Sequence, residues 1–472
     1  MLSLEQKLLT SASMRLRIWS RLRGCGLLFL LLPWSTLRAA TPHYVFAHYM
    51  VCFATYGETL DAYKREIQEA QAAGIDGFAL NVGAWDNTQS YYQTRVATIY
   101  NAAEQLGTGF KLFFSVDYYG TTNIVAMVQT YANRTNTFRY QGKVVLSSFG
   151  ENDTPSTGGA GVDWTNLVFP QLASNGVSVC FVPHFWPDPI HELPTYSDAQ
   201  SILQKYGSLL DGVFLFGAAG LPYQLAQCNS NYTLAVHQAG KISMASVTPH
   251  YWGFKQYSIG RRYYEFDGGE GIALQWQSII TNQPDWVEIV TWNDFNESTY
   301  IVPVKDPGTY FAEMQAPVRY CHAGYLELSK PFISWYKSGT NPAVSSDAVY
   351  YFYRTHPKAA IAANTNDIPV TGLYGEVRDT FYATVYLTAP ANLEVASGGN
   401  LTTNSLPAGL TAVRLPFGPG KQALTLRRAG QPVISVQGPD ILAQIQLYDF
   451  FPASGYGYSR PGPPQNFRFA NP

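Results

Sequence analysis

Charge is scarce in this sequence. Asp, Glu, Lys and Arg make up 14% of its 472 residues and nearly cancel, leaving a formal net charge of -2. No basic field is present to draw in nucleic acid or anionic lipid, so neither is expected as a partner. Long apolar runs are missing too. The stretch Leu27–Leu32 is too short to span a bilayer, and no later segment is long enough. There are five cysteines and no CxxC pair or clustered Cys/His spacing, so no metal site and no cofactor are expected. Cys25 falls in the N-terminal leader. Cys52, Cys180, Cys228 and Cys321 allow either two disulfides, in three pairings, or four free thiols. No glycine-rich phosphate turn follows an early strand, which counts against a doubly wound nucleotide-binding sheet.

Aromatic residues, by contrast, are abundant. They form 15% of the chain, with 33 Tyr and 10 Trp, enough to fill a large core and still offer ring faces on which sugars stack. The length favours two folded units. At the N-terminus Arg15, Arg17, Arg21 and Arg23 precede the Leu27–Leu32 run, and the small residues Ala39 and Ala40 follow. This pattern is that of an export signal over residues 1–40. It predicts a secreted, extracellular protein (periplasmic in a bacterial host), free of the membrane once the signal is removed. A monomer is expected. Asn133, Asn231 and Asn400 begin glycosylation sequons.

From about residue 43 to 336 the sequence alternates apolar β-branched or aromatic runs with amphipathic helical stretches, eight times over. The runs include HYVFAHYMV, GFALNVG, KLFFSVDY, KVVLSSFG, VSVCFVPHFW, LDGVFLFG, KISMASVTPHYW and WVEIVTWNDF. Their nearly unbroken apolar character suits strands buried on both faces. The count and length predict an α/β fold, a (β/α)8 TIM barrel over residues 41–338. Beyond it, AVYYFYRTH, TFYATVYL, LTAVRLPF and QALTLRRAG are short strands between Gly, Pro and Asn turns. They predict a small C-terminal antiparallel β-sandwich over 339–472 with an irregular tail.

Polar residues recur where these strands end, which in a barrel is where chemistry gathers. His48, Asn81, Asp117, His184 and His250 end strands one, two, three, five and seven. The eighth ends in WNDFNES, holding Asp294 and Glu297. Hydrolysis of a glycosidic bond needs one carboxylic acid to protonate the leaving oxygen and one carboxylate on the other face of the sugar. Two carboxylates three residues apart can face one cleft, their repulsion and burial raising one pKa. The spacing alone equally suits a turn in which Asp294 caps backbone and Glu297 is solvated. The three histidines can hold sugar hydroxyls, and Asp117 can bind a hydroxyl, serve as the second acid or brace its loop. Tyr251 and Asn293 join the substrate-binding candidates, and Trp186, Trp252 and Trp292 are candidate stacking platforms. Asp76, before its strand, reads as a structural cap.

The segment WVEIVTWNDFNESTYIVP resembles the EI-TWNDYGES-YI stretch that marks the α-1,3-glucanases of glycoside hydrolase family 71. FAHYMV is similar to that family's FAHFMVG, and AGIDGFALNVG to its GIDAFALNIG. SVDYYG, VDW, FVPHFWPD and DGVFLFG follow in matching order between Val45 and Pro303. The resemblance implies an inverting hydrolase of α-1,3-glucan, a barrel followed by a β-sandwich. It places the acid pair on Asp294 and Glu297, with Glu297 as general acid and Asp294 as base. Phe295 and Asn296 depart from the family's Tyr and Gly, and Asn296 stands where a tight turn wants backbone freedom. A barrel glycosidase for another glucan, and a carbohydrate-binding protein without chemistry, are the competing readings.

Overall fold

The computed structural model describes residues 42–117, 123–150, 152–154, 161–253, 260–304, 320–367 and 370–459. The leader at 1–40, with Cys25, and the tail from 460 lie outside them. The first part of the described chain is built on parallel strands β1 (Tyr44–Met50), β2 (Gly77–Val82) and β3 (Lys111–Val116). A short edge strand β4 (Arg139–Tyr140) lies antiparallel to β5 (Lys143–Ser148). Then come β6 (Val179–Phe181), β7 (Gly212–Phe214), β8 (Ile242–Val247), a hairpin of β9 (Tyr251–Trp252) and β10 (Arg262–Tyr264), and β11 (Trp286–Ile289). The parallel strands run in the order β6-β5-β3-β2-β1-β11-β8-β7. Its two ends are bridged: the amide of Asp211 donates to Phe181 O at 2.9 Å and that of Phe214 to Pro183 O at 2.8 Å.

Helices α1 (Leu60–Ala72), α2 (Tyr91–Leu106), α3 (Ile124–Tyr131), α4 (Phe169–Ser174), α5 (Tyr196–Tyr206), α6 (Pro222–Gln238), α7 (Gly268–Asn282) and α8 (Ala323–Ser338) follow the strands. The sequence signals are local. Thr59 caps α1 by accepting the amide of Ala62, and Thr195 with Asp198 forms a capping box on α5. None of the described helices is long and apolar enough to cross a membrane.

Period-two alternation sorts the strand residues onto two faces. Val45, Ala47, Phe78, Leu80, Leu112, Phe114, Val144 and Leu146 pack towards the helices. Phe46, Ala79, Phe113, Val145, Cys180, Val182, Phe214, Met244 and Trp286 meet one another in a separate core to which all eight parallel strands contribute. A sheet must curl strongly for all its strands to share one face in this way.

The C-terminal part forms two four-stranded antiparallel sheets. One has the order β17-β14-β12-β20, from β12 (Ala348–Arg354), β14 (Thr380–Leu387), β17 (Gly409–Pro416) and β20 (Pro452–Tyr458). The other is β16-β15-β18-β19, from β15 (Ala391–Ser397), β16 (Asn400–Leu406), β18 (Gly420–Arg428) and β19 (Gln431–Ile441). Their shared core holds Val349, Tyr351, Phe381, Val385, Leu393, Leu424 and Val436. Alternate β12 residues Ala348, Tyr350 and Phe352 pack instead into the helical core, so this strand is buried on both faces. Between the two parts, β13 (Gly372–Tyr374) pairs in parallel with β10, and Tyr374 stacks on Tyr264 at 4.4 Å.

Candidate active site

On the concave face of the curled sheet the apolar layer gives way, two residues further along each strand, to a polar one. Phe46 is followed by His48, Ala79 by Asn81, Phe113 by Ser115, Val182 by His184 and Trp286 by Glu288. All five polar side chains are buried. Asn81 Oδ1, Ser115 Oγ, His184 Nε2 and Glu288 Oε2 have no hydrogen-bond partner among the described protein atoms. Four orphaned polar atoms in one layer mark a place where hydroxyls of a ligand or water complete the bonding. The layer is also organised. His48 Nδ1 meets Glu288 Oε1 at 2.6 Å, and Phe216 lies edge-on to the His48 ring at 5.1 Å. Burial raises the Glu288 pKa against the pull of His48. His184 is driven down to about 4 by burial, so its ring is neutral at ordinary pH. Trp186 stands edge-to-face with it at 4.8 Å.

Above this layer the turn after β11 carries the acid pair. The Asp294 amide donates to Thr291 Oγ1 at 2.7 Å. Asp294 Oδ1 in turn accepts the amides of Asn296 at 2.9 Å and Glu297 at 3.1 Å. The left-handed residue of the turn is Ser298, with φ 58°, rather than Asn296. Replacement of a glycine at 296 therefore costs no positive φ. Glu297 is only partly exposed. Its Oε1 accepts the Tyr251 hydroxyl at 3.1 Å, and its carbonyl accepts the Trp252 amide at 2.8 Å. Burial foremost, then the charge of Asp294, holds the Glu297 carboxyl well above the usual range, opposed by Tyr251 and Arg262. Asp117 shares this neighbourhood. After burial itself, the charges of Asp294 and Asp117 are what push the Cys52 thiol up to about 12.

Several residues singled out from sequence have other positions. Asn293 is fully buried: Oδ1 accepts the Met50 amide at 2.8 Å and Nδ2 donates to the carbonyls of Met50 at 3.1 Å and Phe53 at 2.9 Å. Its amide clamps two loops together and has no donor left for a sugar. Trp292 and Trp252 are also fully buried, Trp292 donating its indole N–H to Glu66 Oε2 at 2.8 Å and Trp252 packing on Phe450 at 5.3 Å. Neither has a ring face open for stacking, whereas Trp186 is only half-buried. His250 lies in a separate small cavity of about 20 Å³ lined by Tyr263, Glu265, Arg354 and Tyr382, with both ring nitrogens unpartnered. The four described cysteines are free thiols, which decides against the disulfides.

Sequence reading passed over Glu66, Glu192, Arg262 and Glu288. Two of them carried a signal. Glu288 interrupts an apolar strand, and Glu66 falls within the buried stripe of α1 beside Tyr63, Ile67 and Ala70. Arg262 and Glu192 carried none.

The pattern of glycosyl hydrolase family 71 matches residues 41–460. The chain belongs to this family. As a family 71 member it is a glycoside hydrolase. It is similar to the glucan endo-1,3-alpha-glucosidase agn1 of Schizosaccharomyces pombe, 32% identical over 91% of this chain and 99% of the relative. It is also similar to the mutanase Pc12g07500 of Penicillium rubens, 30% identical over 86% of this chain and 87% of that one. Among solved structures, a GH99 endo-alpha-mannosidase of Bacteroides thetaiotaomicron aligns with TM-score 0.46 at 13% identity, covering 62% of this chain and 97% of its own.

Proposed function

We propose that this family 71 enzyme cleaves α-1,3-glucosidic bonds in α-1,3-glucan by inversion, with Glu297 as general acid and Asp294 as the base that activates water. The observation that carries the assignment is the unequal surroundings of the two carboxyls in one turn. Asp294 accepts two backbone amides, which favour its charged form. Glu297 is partly buried beside that charge, and both burial and charge favour its neutral form. One group is thereby kept as carboxylate and the other as acid. Both named relatives act on α-1,3-glucosidic linkages or carry the name mutanase, which supports the choice of glucan. The orphaned polar layer of Asn81, Ser115, His184 and Glu288, with His48 and Asp117 beside it, supplies partners for the sugar hydroxyls.

The wider architecture fits this reading. The curled sheet is a closed (β/α)8 barrel over 41–338, its closure supported by the two hydrogen bonds between the β6 and β7 segments. The C-terminal sheets are a β-sandwich over 339–472, and 1–40 is an export signal, making the enzyme a secreted one; it acts as a monomer. The test is reducing-sugar release from insoluble α-1,3-glucan by the wild type, Asp294→Asn and Glu297→Gln. Loss of nearly all activity in both folded variants is expected. Full activity in either moves the chemistry to other residues, Asp117 first. Cleavage of a different glucan in its place removes the substrate assignment.

A further inference from the structure

We infer that Tyr251 and Arg262 are positioning residues that hold the acid proton of Glu297 on Oε2 and stabilise the carboxylate left when that proton departs. This rests on the reading of Glu297 as general acid. The argument is one of donors and acceptors. Arg262 on β10 donates from Nη1 to Glu192 Oε1 at 2.6 Å and from Nη2 to the Tyr251 hydroxyl oxygen at 3.1 Å. A guanidinium has donors and no acceptor. The Tyr251 oxygen therefore receives on that side, and its single proton points to Glu297 Oε1, 3.1 Å away. Since Oε1 accepts that proton, the acid's own proton sits on Oε2.

The hairpin makes the chain rigid. Tyr264 of β10 pairs with Tyr251 of β9, its ring in T-shaped contact with Tyr251 at 5.6 Å and stacked on Tyr374 from β13 at 4.4 Å. The amide of Trp252 also ties β9 to the Glu297 carbonyl. In the reaction the O–H bond of Glu297 breaks and its proton goes to the glycosidic oxygen. The bond from C1 to that oxygen breaks, one chain end leaves as a neutral alcohol, and the water deprotonated by Asp294 adds to C1. Negative charge appears on Glu297 in that step. Oε1 already accepts a hydrogen bond backed by a positive charge, so the conjugate base forms into a prepared environment. Among the described residues, the charged and titratable groups that act on Glu297 include Asp294 in its own turn, Tyr251 on β9, Arg262 on β10 and Glu192 in the segment before α5. Burial, Asp294 and Glu192 weaken the acid; Tyr251 and Arg262 restore part of its strength.

The test compares Tyr251→Phe, Arg262→Gln and Arg262→Lys on an α-1,3-glucooligosaccharide and on the matching oligosaccharyl α-fluoride, whose leaving group needs little protonation. On the oligosaccharide, Tyr251→Phe and Arg262→Gln should lose about 10- to 100-fold in kcat, a part of what general acid catalysis supplies. The alkaline limb of their kcat/KM profile should move to higher pH, and Arg262→Lys should return part of the shift. On the fluoride the loss should be several-fold smaller. The double variant should fall little below the worse single one, as expected for groups acting in one chain. Equal losses on both substrates with an unmoved limb would overturn the inference and leave only a packing role. Glu297→Gln is measured alongside. If it keeps its glucan activity, the acid reading fails and the inference with it. If it loses glucan cleavage and keeps the fluoride, that reading stands and the Tyr251 and Arg262 data decide the inference alone.

Discussion

Asp294 accepts the backbone amide of Glu297 at 3.1 Å, so one carboxylate fixes the chain position of the other. The two acids are parts of a single turn, and a change at Asp294 acts on Glu297 through the backbone as well as through charge. Asp294→Asn keeps an acceptor oxygen for the amides of Asn296 and Glu297; Asp294→Ala does not. Both variants should be inactive, and only the alanine variant should also lose stability. Two lost hydrogen bonds of this kind are worth about 1–3 kcal/mol together. Chemical denaturation of the two proteins checks the difference.

Glu297 must be protonated to act as acid, and its environment raises its pKa. Activity should therefore persist through the pH range where an ordinary carboxyl has ionised, and fall only as pH rises through the raised value. With Asp294 as the proposed base, the acid limb should report its protonation. A kcat/KM profile on soluble α-1,3-glucooligosaccharides reads both limbs. A single-displacement reaction on an α-linked chain also releases the β-anomer first. Proton NMR of the first minutes of hydrolysis distinguishes it from the α-anomer of a retaining enzyme.

The stacking role divides the tryptophans. Trp186 is half-buried above the polar layer, and Trp292 has no exposed ring face. Trp186→Ala should raise KM about 10-fold while leaving the melting temperature nearly unchanged, consistent with loss of one aromatic contact to sugar. Trp292→Phe should do the reverse, because it removes the donor to buried Glu66 Oε2. Isothermal binding of an α-1,3-oligosaccharide to each, in an inactive Glu297→Gln background, separates the two effects.

The strand–helix alternation was legible because each strand carries its own apolar run, and α1 and α5 their own caps. Asp76 was readable as structural, and it accepts the Val45 amide at 2.9 Å and pairs with Lys337 at 2.7 Å. That Asp294 and Glu297 share one turn was readable because they lie three residues apart. Other features depend on contacts distant in sequence. Asn293 looks like a cleft residue until Met50 and Phe53 are found against its amide. His250, at the end of its strand, turns towards Tyr263 and Phe266 and away from the polar layer. The uniform burial of β12 hides which of its faces meets the helices. Arg262 reaches Tyr251 only because a hairpin folds them together.

Glu66 offers a test that leaves the acid pair untouched. It is fully buried on α1, taking the Tyr49 hydroxyl at 3.0 Å and the Trp292 indole at 2.8 Å. Burial, only partly offset by these donors, raises its pKa from 4.5 to about 8. The folded protein thus keeps a proton on Glu66 at pH values where the unfolded chain has released it. Its contribution to stability is fully present below about 4.5 and is lost as pH rises through about 8. The slope approaches about 1.4 kcal/mol per pH unit within that window. Glu66→Gln can turn its carbonyl to Trp292 and its amide to the rotatable Tyr49 hydroxyl, so its cost should be small. Relative to wild type its stability should improve between pH 5 and 8, because nothing there titrates. Glu66→Ala leaves the indole N–H buried without an acceptor and opens a cavity beneath the turn, costing about 2–4 kcal/mol relative to Glu66→Gln at every pH. Urea unfolding of the three proteins at pH 5 and pH 8 decides the matter, since a wild type and Glu66→Gln that change in parallel would mean Glu66 stays ionised throughout.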